Sequence, residues 1–127
     1  MVTWDEADAL FGVPFVRGVA DCCTLACDHV LACHGVDLMA EYRNAYHDDA
    51  GAEQIIRKAG GWLCLWDHLC AQAGMRRCDG WDGAVIGLAR VEHGRALVLP
   101  LEGGRWAGKA AGDGYCVIEE VRAAWAF

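Results

Sequence analysis

At 127 residues the chain can bury one sizeable core and is too short for two ordinary domains, so 1–127 reads as a single domain. Its net charge of −7, from 18 acidic and 11 basic residues, excludes a nucleic-acid module held by phosphate contacts and disfavours an anionic membrane surface. A hydrophobic share of 55% excludes global disorder. Eight cysteines in a short secreted chain would suggest a disulfide framework. Three features oppose that here. Met1 to Glu6 has no basic stretch followed by a long apolar run, so no signal peptide is expected. No apolar run approaches the roughly 18 residues of a membrane span. The cysteines lie in apolar periodic stretches, where a free thiol behaves as a small buried hydrophobe. Reduced core thiols and no membrane insertion are therefore expected.

Thr3-Trp4-Asp5-Glu6 fits a capping box that opens a helix to Phe11. Gly12-Val13-Pro14 ends it, because the residue before proline avoids the helical region. Phe15 to Ala20 reads as an extended approach with a turn at Gly18. Asp21 is the expected N-cap of a helix from Cys22 to Cys33. Both stripes of that helix are poor in charge, which predicts burial nearly all round. Gly35 is the expected C-cap. Further helices are expected over Leu38 to Tyr46, Ala50 to Ala59 and Trp62 to Ala73, with Arg76-Arg77 as a solvated turn. From Asp79 the pattern changes to short strands and glycine turns. Strands are expected over Gly83 to Ala89, Arg95 to Leu101, Arg105 to Gly108 and Tyr115 to Ile118. Glu92-His93-Gly94 reads as a hairpin turn, and Pro100 as a strand end or edge. A short helix or turn from Glu119 then leads into an apolar end at Trp125-Ala126-Phe127, for which a strand is one reading. Helices followed by an antiparallel meander make an α+β arrangement.

The segment Phe15-Val16-Arg17-Gly18-Val19-Ala20-Asp21-Cys22-Cys23 carries the chemistry. A cysteine is nucleophilic as its thiolate, and a helix N-terminus favours that form. The free N–H groups there are possible oxyanion donors. Asp21 fits the role of cap and orienting group. On the residues alone, Cys22 fits a nucleophile and a merely buried thiol equally well.

The glycine turn, the Asp-Cys pair and the buried helix resemble the nucleophile motif of the NlpC-type, papain-like cysteine peptidases. The spacing is most similar to a small phage-associated branch found among tail-tip and gene-transfer-agent-like proteins. That resemblance runs over nearly the whole chain and includes Gly35-Val36-Asp37, Tyr42, Ala59-Gly60-Gly61 and Ala124-Trp125. It implies an NlpC-type α+β fold, with a buried central helix packed on a small antiparallel sheet. It further implies a virion tail-tip protein, made in the bacterial cytoplasm and related to peptidoglycan endopeptidases. Its partners would be other tail-tip or baseplate proteins, with peptidoglycan as the substrate of an active member.

In that family a histidine opens a sheet strand and serves as the base. The matching place here falls on Ala96, beside Arg95, which makes loss of peptidase activity an expectation. His93, in the preceding turn, is the remaining candidate base. His29 is excluded, since seven residues of helix put it roughly 10 Å from Cys22. Glu102 and Asp113 are the candidates for a third polar group. A purely structural adaptor or plug in the tail tip is the competing reading. A metal or iron–sulfur site is a lesser one. It would use the i, i+4 pairs Cys23 with Cys27 and Cys64 with His68, with Cys33, Cys70 and Cys78 as alternative ligands. No Cys-x-x-Cys occurs, and no cofactor is expected. Among six tryptophans, Trp62 and Trp66 share one helix face and read as core or interface.

Overall fold

The computed structural model describes residues 1–92 and 94–127. Among them, four helices come first: α1 (Trp4–Phe11), α2 (Thr24–His34), α3 (Asp49–Lys58) and α4 (Trp62–Gln72). The strands follow: β1 (Arg76–Cys78), β2 (Ile86–Val91), β3 (Gly94–Leu101), β4 (Arg105–Lys109), β5 (Tyr115–Ile118) and β6 (Ala123–Ala126). They form one sheet in the order β1-β6-β2-β3-β4-β5, with every neighbouring pair antiparallel. The fold class is therefore α+β, as the order of patterns in the sequence indicates.

The capping box of α1 forms as its spacing predicts. Glu6 N–H donates to Thr3 Oγ1 and Thr3 N–H donates to Glu6 Oε1, both at 3.1 Å. Val2, just before it, is stitched to the end of β3. Its N–H donates to the Pro100 carbonyl at 2.7 Å, and its own carbonyl accepts from Glu102 N–H at 2.8 Å. Pro100 is tolerated because the β2 ladder reaches only Val98, so its missing N–H interrupts no bond to β2.

Residues alternate between the two sheet faces, as strand geometry requires. Leu88, Leu97, Leu99 and Ala107 pack with Phe11, Val30, Leu65 and Trp66 of the helices. Ala89, Val98, Trp106 and Ala124 face the other way, under Trp81, Ile118 and Val121. Fully burying a side chain the size of leucine or phenylalanine contributes about 1.5–3 kcal/mol, so the helix-facing layer carries most of the stability. Gly87 is required by close approach, since a Cβ there would stand 2.8 Å from Trp106 Cζ3.

Several expectations need correction. Leu38 to Tyr46 is a run of turns, not a helix. Arg43 is drawn to Asp28 (2.7 Å) and Asp37 (3.0 Å), and Asn44 adopts a left-handed φ of 63°. The α2 helix is buried over Thr24 to Cys27 and at Val30, but Leu31 to His34 is exposed. A domain this small lacks the surface to cover an apolar helix all round. Arg76-Arg77 lies in β1, paired with β6, where Arg77 makes a two-pronged contact with Asp67 (2.7 and 2.9 Å). Charged side chains on an edge strand hide it from a hydrophobicity reading. Of the readings of the C-terminal end, Trp125 lies in a strand: β6 sits inside the sheet between β1 and β2, and a bend at Glu119 rather than a helix leads into it.

Lys109 is the one charged side chain carrying a formal cation among the buried described residues, at 3% exposure. Its Nζ donates to the carbonyls of Phe11 (2.9 Å), Gly112 (2.6 Å) and Gly114 (3.0 Å). It thereby ties the end of α1 to the β4–β5 turn. Lys109→Met is expected to lower unfolding free energy by about 1–3 kcal/mol, because it leaves buried acceptors without donors. Urea denaturation of both proteins measures this.

Candidate functional site

Asp21 organises the site. Its side chain is fully buried. One carboxylate oxygen accepts from the N–H groups of Cys23 (2.9 Å) and Thr24 (2.8 Å). The other accepts from Gly18 N–H (2.8 Å) and from the Tyr46 hydroxyl (2.6 Å). Asp21 N–H in turn donates to Thr24 Oγ1 at 2.8 Å. Regular helix begins at Thr24, yet the first helical carbonyl acceptor is that of Asp21, bonded by Leu25 N–H at 3.2 Å. The N-cap position is Cys23, two residues later than the sequence indicates, while Asp21 binds the N–H groups of Cys23 and Thr24 from the preceding turn. Burial pushes the Asp21 carboxyl up, but the four donors outweigh it and hold it below the usual range. Burial and the Asp21 acceptor together push the Tyr46 hydroxyl well above its ordinary value. Gly18 has φ +87°, and a Cβ there would collide with the Tyr46 carbonyl oxygen, so only glycine fits this turn.

The turn delivers two adjacent thiols. Cys22 Sγ lies 3.9 Å from Cys23 Sγ and 3.9 Å from the Arg95 carbonyl oxygen at the start of β3. Hydrogen bonding from the Cys23 thiol favours the Cys22 thiolate, against burial and the Asp21 charge, and Arg17 assists. The same bond and burial push Cys23 well above the ordinary thiol range. Cys22 is thus the member of the pair that ionises first.

Cys22 opens onto a groove whose walls include Phe15, Arg17, Trp62, Arg95, Ala96 and Cys116. Lys109 also lines it, but carbonyls engage its ammonium, as described above. Ala96, on β3, lines the Cys22 groove. No histidine occurs among the described residues that line it. His93 lies outside the described residues. Glu102 accepts from Trp4 N–H at 2.8 Å, and neither it nor Asp113 lines the groove. A small, mainly apolar cavity adjoins the groove, lined by Arg17, Cys23, Tyr46, Trp62 and Trp66. Buried Trp66 Nε1 has no hydrogen-bond partner.

All eight cysteines are free. Cys22, Cys23, Cys27 and Cys70 are buried, Cys78 and Cys116 are half-buried, and Cys33 and Cys64 are exposed. The core therefore takes only part of the set. The proposed metal ligands do not assemble. Cys23, just before α2, and Cys27, on it, are buried, whereas Cys64 and His68 are exposed on α4. Among the described residues, the group of three such ligand atoms within 4.8 Å of one another is Asp21, Cys22 and Cys23. Asp21 has both oxygens committed to the turn, so it does not offer a free ligand. Sequence reasoning missed the roles of Arg17, Tyr46 and Cys116. Tyr46 sat in an expected helix, and nothing local signals a bond across 25 positions of chain.

Fold and site together define a small α+β domain with two adjacent buried thiols just before a helix, beside a groove against an antiparallel sheet. The chain belongs to the family described as a domain of unknown function, DUF6950, whose model matches residues 5–127. No curated protein and no solved structure matches it. No helix among the described residues is long and apolar enough to cross a membrane.

Two outcomes follow from this geometry. Asp21→Ala is expected to cost about 2–4 kcal/mol, since it orphans several buried donors. The depressed carboxyl contributes stability above its unfolded pKa of about 3.9, and loses it as pH falls through the lower folded value. Acid titration of unfolding should therefore show a flatter response below about pH 4 in Asp21→Asn than in the wild type. Separately, Cys22 should be alkylated by iodoacetamide at a pH below the ordinary thiol range. Cys23→Ala should move that profile upward by removing the S–H donor. A pH series of labelling rates, read by peptide mass, checks both.

Proposed function

We propose that this chain is a phage or prophage tail-tip subunit on an NlpC-type, papain-like scaffold, in which the peptidase site persists without its base. The observation that carries the reading is the juxtaposition at the groove. Cys22 stands at the start of the central helix and touches the Arg95 carbonyl, and the adjacent strand position is Ala96. In thiol peptidases the thiolate attacks an amide carbonyl, and an imidazole protonates the leaving amine. Ala96 offers no proton. The helix-start N–H groups of Cys23 and Thr24 are taken by Asp21, so they are not free to hold an oxyanion. Both absences favour a structural, adaptor-like role among other tail-tip or baseplate proteins over hydrolysis of peptidoglycan.

A second reading keeps the enzyme active, with His93 as base. It is favoured by Glu92 and Gly94, the sequence neighbours of His93, which line the Cys22 groove. Purified peptidoglycan stem peptides incubated with wild type, Cys22→Ala and His93→Ala distinguish the two. The expected result is no amine release by wild type above the level of Cys22→Ala. Hydrolysis lost in both variants would replace the structural reading with the peptidase one.

A further inference from the structure

Cys23 is not used in the reading above, and neither is the convergence of Arg17 on both thiols. Arg17 lines the groove onto which Cys22 opens and also the cavity that Cys23 touches. The two sulfurs are already at 3.9 Å. Both thiols are buried to the same 8% exposure; Cys22 lines the groove and Cys23 the small cavity beside it. A groove-lining thiol, a second thiol in contact and the Arg17 guanidinium, which also pairs with Asp49 at 2.6 Å, are the parts that two-electron thiol oxidation requires.

We propose that Cys22 and Cys23 form a hydroperoxide-reactive dithiol: Cys22 is oxidised to the sulfenic acid, and Cys23 resolves it to a reversible disulfide between adjacent residues. In the first step the Cys22 sulfur forms a bond to the distal peroxide oxygen and the O–O bond breaks. The departing alkoxide or hydroxide is stabilised by Arg17 and takes a proton from water. Cys22 loses two electrons and the peroxide gains them. In the second step the Cys23 sulfur attacks the Cys22 sulfur. The S–O bond breaks, and the hydroxyl leaves as water with the Cys23 proton. Adjacent Cα atoms are about 3.8 Å apart, shorter than the usual disulfide span, so the ring is strained and a monothiol reopens it. The chemistry needs no imidazole, so it stands whether Cys22 hydrolyses amides or not.

The test uses the full chain carrying Cys33→Ser and Cys64→Ser, to remove the exposed thiols. Reduced protein is treated with an equimolar amount of hydrogen peroxide, alkylated under denaturing conditions and digested with trypsin. The peptide from Gly18 to Arg43 contains Cys22, Cys23 and Cys27. It should lose two hydrogens, with Cys27 alkylated and Cys22 and Cys23 protected. A monothiol should restore alkylation of both. In Cys23→Ser, dimedone should trap the sulfenic acid on Cys22. If that variant fails to fold, the pairing map of the parent protein decides alone. Full alkylation of Cys22 after peroxide, a sulfinic acid on Cys22 with Cys23 still free, or a link to Cys27 or Cys116 would each overturn the proposal.

Discussion

One buried carboxylate fixes the geometry on which the rest of the site depends. Asp21 gathers donors from Gly18, from the start of α2 and from Tyr46, so three separate stretches of chain meet at a single charge. A buried carboxylate without partners would be strongly unfavourable, whereas one saturated by donors is rigid. That rigidity sets the angle at which the chain enters α2. It therefore sets the direction of Cys22 and Cys23. The same saturation has a chemical consequence. The N–H groups of Cys23 and Thr24 are spent on Asp21 and are not free to hold an oxyanion.

The sheet supplies the other wall. Its register places Arg95 and Ala96 against the start of α2, and the Arg95 carbonyl meets the Cys22 sulfur. A thiol held between a backbone carbonyl, a second thiol and a nearby guanidinium has its ionisation tuned, and no histidine is among the described residues that line its groove. Lys109 closes the far side of the groove structurally. Its charge is spent on three carbonyls that would otherwise be buried without donors.

The chain ends are bound into the same framework. Val2 bridges to Leu101, and β6 lies between β1 and β2, so neither terminus is an appendage. The layer between sheet and helices is then built from residues distant in sequence, such as Phe11, Trp66, Leu97 and Trp125. The packing of α2 follows from this placement. Its first turns lie in that layer, and its last turn, although equally poor in charge, is left in solvent.

What the sequence determined by itself is local. The capping box at Thr3, the Asp21 turn, the helices near Asp49 and Trp62, and the strands around Leu97, Trp106 and Tyr115 all follow from bonds or periodicities spanning a few residues. The Asp-Cys start of α2 was legible for the same reason, and it pointed to Cys22. Only the tertiary structure decided which cysteines are core, that Arg76 to Cys78 and Ala123 to Ala126 pair as strands, and that Tyr46 reaches Asp21. Those outcomes depend on contacts between positions far apart in the chain, where the composition of one segment carries no record of its partner. The separation of Cys64 and His68 from Cys23 and Cys27 is of this kind. Spacing on each helix sets the two pairs, but the packing of one helix against another decides whether they meet.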